Sequence, residues 1–283
     1  MSLLTLVKIQ LKHMLSRKEF AVISTICILI VCISFIELCS HFTAFEYDAL
    51  PIASYAWIGN MDAMQIQAIH VWYYLFFFLL SASVYADALL LDSTKGTVNF
   101  IAIRTNRWKL VASYTIAAFI GGLIVVVIPL LISQLLSCVV FPISGQDFGF
   151  QTMINEGIHL DNLQEYISKN VLFPYLYYNQ TYLLNIIYIL YSGLIAGLVS
   201  SITFAISLHI KVKRLVLIGA PSIVIVSCAF LIPRNYQIQF YMFPSASLIG
   251  LSPTYFALAP VVLLILLVSL LVSAHVLRRD YLL

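Results

Sequence analysis

The chain alternates long apolar runs with short polar joints. Six runs have the length needed to cross a bilayer as helix: Phe20 to Leu38, Ala68 to Leu91, Leu110 to Phe141, Tyr182 to Leu208, Leu215 to Ile232 and Ala257 to Leu277. None shows the period-two alternation of barrel strands. Backbone amides in hydrocarbon must be bonded within their own segment, so the runs predict helices. The expected fold is an all-α integral membrane bundle of six transmembrane helices, with both termini on one side.

Ahead of the first run, Leu3, Leu4, Val7, Leu11, Met14 and Leu15 recur at helical spacing while Lys8, Lys12, His13 and Arg17 fall largely off that stripe. This predicts an amphipathic interfacial helix over residues 1–19, either a charged membrane anchor or an elbow that a partner can push, followed by a transmembrane domain over residues 20–283. The third run is about 30 residues, or about 45 Å of straight helix, against a hydrocarbon core of about 30 Å. It must tilt, bend or protrude, and Gly121, Gly122 and Pro129 offer places to bend. In the fourth run Gly193, Gly197 and Ser201 repeat every four residues, a spacing that allows close helix contact within the subunit or across a dimer.

Composition agrees with lipid as the solvent, since 62% of residues are hydrophobic and 10% charged. The basic residues then set the orientation. Lys8, Lys12, Arg17 and Lys18 precede the first run, Lys95, Arg104, Arg107 and Lys109 follow the second, Lys211, Lys213 and Arg214 follow the fourth, and Arg278 and Arg279 follow the sixth. Of the 15 Lys and Arg residues only Lys169 and Arg234 fall on the other side, which collects Glu46, Asp48, Asp62, Asp147, Glu156, Asp161 and Glu165. Basic residues are retained in cytoplasmic loops, so both termini are expected in the cytosol. The formal charge of +3 reflects this sidedness, and no basic cluster is interleaved for nucleic acid.

Other chemistry is scarce. The first run is too long for a cleavable leader and lacks a small-x-small site after it, so it is expected to stay. The five cysteines, Cys27, Cys32, Cys39, Cys138 and Cys228, form no C-x-x-C pair and have no nearby His, so no metal is assigned. Cys39 and Cys138 both lie near outer ends, which leaves packing or a disulfide between them open. No ionisable pair converges at mid-depth as an intramembrane enzyme would need; Glu37, Asp87, His70 and His275 lie toward span ends, where water or headgroups are expected to solvate them. The triplet Asn179-Gln180-Thr181 matches a glycosylation acceptor but arises often by chance.

The joints on the acidic side are long. Extracellular segments are expected at residues 40–67, 142–181 and 233–256, the second carrying the aromatic cluster FPYLYY and a short surface helix over Thr152 to Ser168. The third, with Tyr236, Phe240, Tyr241 and Phe243, is too polar and proline-broken to span. It either dips into the outer leaflet as a gate or cover, or lies on it as an aromatic belt.

On the basic side the segment DSTKGTVNFIAIRTNRWK, residues 92–109, stands out as a polar island between the second and third runs. Val98, Ile101, Ala102 and Thr105 share one helical face, with Phe100, Ile103 and Arg104 beside it, so a short helix there presents an apolar knob to a cytosolic partner. The plainer reading is that Arg104, Arg107, Trp108 and Lys109 anchor the third span at the interface.

Asp92, Gly96, Thr97, Phe100, Ile101, Arg107 and Lys109 follow the order of a motif found between spans two and three of type-two ABC transporter permeases, which the chain resembles. In that family an amphipathic N-terminal helix precedes six spans, a cytosolic coupling helix joins spans two and three, and membrane-dipping helices lie between spans five and six. The chain departs in having Asp92 where Glu is common, in lacking a Pro shortly before the Arg, and in its longer joint after the third span. The topological resemblance covers nearly the whole chain, the motif about twenty positions. It implies ATPase coupling through Asp92, Gly96, Thr97, Val98, Phe100, Ile101, Arg104 and Arg107. It also implies a cytosolic ABC ATPase subunit and a second permease copy or a similar permease as partners, and export across a cell membrane, expected to be bacterial.

No G-x-x-x-x-G-K-[ST] loop occurs, so no nucleotide site of that kind is expected in this chain; ATP and magnesium would sit on the partner ATPase. The chain itself is then no enzyme. Nearly uncharged spans suit an amphipathic peptide or lipid as substrate. A polytopic binding or immunity protein that works without ATP remains the alternative.

Overall fold

The computed structural model describes residues 2–43, 50–60, 72, 76–94, 105–144, 172–210, 213–233, 236–244 and 252–276. Regular structure among them is helical throughout. The elements are α1 (Leu3–Ser16), α2 (Lys18–His41), α3 (Phe77–Ser83), α4 (Ala88–Thr94), α5 (Arg107–Val140), α6 (Pro174–Asn179), α7 (Thr181–Ser207), α8 (Arg214–Leu231), a 3-10 helix (Ile238–Met242) and α9 (Pro253–Val276). Four of them, α2, α5, α7 and α9, are long and apolar enough to cross a membrane. The protein is a membrane-embedded helical bundle.

Side-chain contacts define its two ends. Trp108 at the start of α5 meets His275 at the end of α9, and His209 after α7 lies 2.9 Å from the Leu270 carbonyl. This end carries the basic residues of α1, α5 and α8. At the opposite end Phe42 after α2 meets Phe141 after α5, and Phe256 of α9 stacks on Tyr191 of α7 at 3.9 Å.

The centre of the bundle is the α5–α7 pair. Small residues bring the two backbones together: a Cβ on Gly122 would stand 2.7 Å from the Ala196 carbonyl, and one on Gly197 would stand 2.8 Å from the Phe119 carbonyl. Gly193 faces Val127, and the Ser201 hydroxyl donates to the Thr115 carbonyl at 3.3 Å, so all three small residues of the four-residue repeat face α5 within one subunit. Helix α7 is consequently buried over most of its length, whereas α9 touches the bundle along a narrow stripe through Leu267, Leu198, Ile202 and Ala205 and leaves its other faces bare.

Two runs depart from a simple span. The second is broken: α3 ends at Ser83, residues 84–87 form a turn, and α4 starts again at Ala88. The fifth, α8, is 18 residues long and holds Pro221. In α1 the inward face is Leu6, Gln10 and Met14, while Leu4 and Leu15 are exposed. Met14 reaches the bare side of Gly121 on α5, next to Val84.

At the end opposite the basic residues, residues 51–60 do not lie on the surface. Ala53, Ala56, Trp57 and Ile58 are fully buried, inserted between α5 and α7. Irregular backbone among apolar helices needs polar partners. Here they come from the helices. Asn185 donates to the Ser54 carbonyl at 2.8 Å and to Gln134 Oε1 at 2.8 Å, and its own Oδ1 accepts from Asn60 at 2.9 Å. Gln134 Nε2 donates to the Ala53 carbonyl at 3.2 Å, Ser137 donates to the Ala56 carbonyl at 3.1 Å, and the Trp57 indole donates to Ser133 Oγ at 2.7 Å.

Candidate functional site: a polar network at the basic end

The break in the second run places two side chains inside the bundle. After Ser83 the chain turns once, with the Ala88 amide bonded to the Tyr85 carbonyl and the Leu91 amide to the Asp87 carbonyl, so helix resumes as α4. Tyr85 and Asp87 end up buried at 0% and 1% exposure. A carboxylate so placed requires compensation, and it has two cations. Arg17 donates from Nη1 and Nη2 to the two Asp87 oxygens at 3.3 and 3.5 Å, and Arg214 donates from Nε to Oδ2 at 2.6 Å. Glu19 completes the group, 3.5 Å from each arginine. Two acids and two bases balance.

Arg17 owes its position to a sharp joint. Ser2 caps the start of α1 by accepting the Thr5 amide at 3.2 Å, and the helix stops at Ser16. Arg17 alone, extended at φ −74° and ψ 137°, then separates α1 from α2. Its guanidinium also lies over the Tyr85 ring, 5.4 Å from the centroid.

A second group adjoins the first. Tyr85 donates its hydroxyl to Gln10 Oε1 at 2.7 Å, and its oxygen lies 3.2 Å from His13 Nδ1. Asp92 accepts the Tyr114 hydroxyl at 2.6 Å and lies 3.8 Å from His13 Nδ1. The Tyr85, Tyr114 and Phe204 rings stack in series at 6.1 and 6.0 Å, carrying the contact from the turn through α5 to α7. One connected set of side chains therefore joins α1, the start of α2, the α3–α4 turn, α4, α5, α7 and the start of α8.

The arrangement binds elements together through hydrogen bonds, ion pairs and ring contacts. Among the described residues no three of His, Cys, Asp and Glu converge as a metal site requires, and all five cysteines are free thiols.

Of the residues singled out from sequence, Asp92 is a member of this network, and Arg107 is the exposed first residue of α5, whose start Asn106 caps by accepting the Trp108 amide at 3.1 Å. Gly96, Thr97, Val98, Phe100, Ile101 and Arg104 lie outside the described residues, as does Thr152 to Ser168. Gly193, Gly197 and Ser201 lie against α5. Tyr236 is exposed, Tyr241 and Phe243 are buried, and Phe240 is partly buried, all at the end opposite the network.

The sequence reading of Asp87 as solvated at an interface is corrected, because its partners Arg17 and Arg214 remove it from solvent. Tyr85, Tyr114, Arg17, Glu19 and Arg214 were not singled out as a set. The available signal was an acid at the basic end of an apolar run, which in lipid calls for a partner.

Compared with protein-family models, with curated proteins and with solved structures, the chain matches none.

Proposed function

We propose that the chain is the permease subunit of a type-two ABC transporter. In this reading it crosses a cell membrane six times with both termini in the cytosol. It moves an amphipathic substrate such as a peptide or lipid outward, beside a second permease copy or a similar permease. A separate cytosolic ATPase subunit supplies the drive, holding ATP and magnesium.

The observation that carries this reading is the shared anchorage of the island and the N-terminal helix. Asp92, the first residue of the island, is tied to Tyr114 on the helix that follows it and lies beside His13 of α1. A force applied to residues 92–109 from the cytosol then reaches α5 through Tyr114 and α1 through His13. It passes to α8 through Asp87 and Arg214. Six crossings follow if the broken second run and α8 both span, which places the 13 basic residues counted above on the cytosolic face.

The test is the double substitution Phe100→Asp with Ile101→Asp, set against Lys95→Ala. A carboxylate buried in a partner's groove without compensation costs several kcal/mol, whereas an exposed charge contributes about 0 to 1 kcal/mol. The double variant is expected to reach the membrane normally, because Arg104, Arg107 and Lys109 remain, yet to lose the co-purifying ATPase and substrate-stimulated hydrolysis. Lys95→Ala is expected to keep both. Wild-type partner binding and coupling in the double variant would overturn the reading, and a purified chain with no ATPase partner would favour the binding or immunity alternative.

A further inference from the structure

At the end opposite the network, the close of α8, the 3-10 helix and the first half of α9 enclose a groove of about 440 Å³. Ile232, Leu258, Ala259 and Val262 contribute apolar wall, and Tyr236, Tyr241 and Tyr255 also line it. The tyrosines form a cluster: the Tyr236 and Tyr255 rings lie 4.8 Å apart, and Tyr255 stacks with Tyr241 at 6.3 Å.

The geometry points to this groove as a binding site for one acyl chain of a membrane phospholipid, with the tyrosine cluster at the level of the headgroup. Three observations carry the assignment. First, the groove is continuous with the bare face of α9, where Leu258 is 48% and Val262 52% exposed. In a membrane-embedded bundle that face meets hydrocarbon, so the medium at the groove mouth is lipid rather than water.

Second, the length fits. From Tyr255 to Leu263 the groove follows eight residues of α9, or about 12 Å at 1.5 Å per residue, close to the roughly 15 Å of one leaflet's hydrocarbon. Third, the polar groups are confined to one end. Tyr255 lies two residues into α9, whereas the wall deeper along the helix, through Leu258, Val262 and Leu263, is aliphatic. The exposed Tyr236 and the part-exposed Tyr255, at the depth where α9 leaves the hydrocarbon, match the interfacial preference of tyrosine and can donate to glycerol or phosphate oxygens, while the buried Tyr241 backs them through its ring.

Hydrocarbon gains nothing by moving from bulk lipid to an apolar groove, so retention of a particular lipid rests on shape and on these phenols. Bulk added to the groove should therefore expel the chain without disturbing lipid elsewhere.

The full chain is reconstituted in vesicles of phosphatidylethanolamine and phosphatidylglycerol doped with a phospholipid bearing a diazirine at mid-chain, then irradiated and mapped by peptide mass spectrometry. Adducts are expected to concentrate between Tyr236 and Leu263, above the level on the exposed α2 residues Ile33 and Ile36. They should be lost in Ala259→Trp and in Val262→Trp, the latter at a half-exposed position that accepts bulk, and retained in Val268→Trp farther along α9. Uniform labelling of all bare faces, or groove adducts insensitive to both tryptophans, would overturn the proposal. So would a photoreactive residue at position 258 that captures a second copy of the chain instead of lipid, which would make the groove a protein interface.

Discussion

Tyr114 donates its hydroxyl to Asp92 across 2.6 Å, which fastens the residue that opens the polar island to the first third of the helix that follows it. Both groups are buried, and the tyrosine ring is stacked between Tyr85 and Phe204. Replacing Tyr114 by Phe removes one hydrogen bond and keeps the stack. A hydrogen bond to a charged group contributes about 1.5 to 3 kcal/mol, so Tyr114→Phe should fold while unfolding at a lower temperature. Under the proposed coupling it should also weaken substrate-stimulated hydrolysis more than it weakens ATPase binding. Thermal unfolding in detergent and hydrolysis in the assembled complex measure the two effects; unchanged coupling would detach this bond from the proposed mechanism.

Asp87 presents a sharper contrast. Asp87→Asn leaves the Arg17 guanidinium, whose side chain is 8% exposed, with only the part-exposed Glu19 at 3.5 Å, and breaking a buried pair costs up to about 3 to 5 kcal/mol. The double change Asp87→Leu with Arg17→Met removes both charges of that pair, and Arg214 keeps Glu19. The double variant should recover much of the stability lost in Asp87→Asn. Equal loss in both, measured as folded yield after solubilisation and as thermal midpoint, would show that the arginine is satisfied elsewhere.

The inserted segment at residues 51–60 depends on Asn185. Asn185→Leu keeps the volume but leaves Gln134 Oε1 and one Asn60 amide hydrogen without this partner, at about 1 to 3 kcal/mol for each buried group left unmade, while the Ser54 carbonyl keeps its second donor, Asn60 at 2.7 Å. Protease access or cysteine labelling at residues 54 to 60 should rise in this variant. Wild-type protection would mean that the packing of Trp57 and the bonds to Ser133, Gln134 and Ser137 hold the segment without Asn185.

Two glycines make a matched pair. Gly122→Ala places a methyl 2.7 Å from the Ala196 carbonyl, a backbone atom that cannot move aside, and overpacking of this kind costs about 1 to 3 kcal/mol. Gly219→Ala in α8 meets nothing nearer than Ile223 at 4.0 Å and should gain about 0.5 to 1 kcal/mol from the stiffer backbone. Opposite shifts in thermal midpoint are expected, and shifts of the same sign would place the α5–α7 contact elsewhere.

Hydropathy alone marks α2, α5, α7 and α9, because a run of apolar residues long enough for a bilayer has few other uses. The repeat Gly193, Gly197, Ser201 likewise marks a contact face but not its partner, which the structure identifies as α5. The break at residues 84–87 was hidden, since no Pro or Gly stands there and the apolar count continues through it. What breaks the run is long-range: Asp87 pairs with Arg17, 70 residues earlier, and with Arg214, much later in the chain. Local pattern shows that Asp87 needs a partner but not which residues supply it. The inward face of α1 was obscured for a related reason, because Gln10 counts as polar by type yet is buried by its bond to Tyr85.

The joint at Arg17 turns α1 into a lever whose fulcrum is itself one of its attachments. Arg17 stands at the turning point, so its bonds to Asp87 barely lengthen when α1 swings about it. His13 lies four residues out, an arm of about 6 Å, and Gln10 seven residues out, about 10 Å. A swing of about ten degrees moves Gln10 by almost 2 Å, enough to part it from Tyr85, while His13 moves by about 1 Å. On this geometry a push at the far end loads the 2.7 Å bond of Gln10 first, then the longer contacts of His13, and the arginine at the fulcrum last.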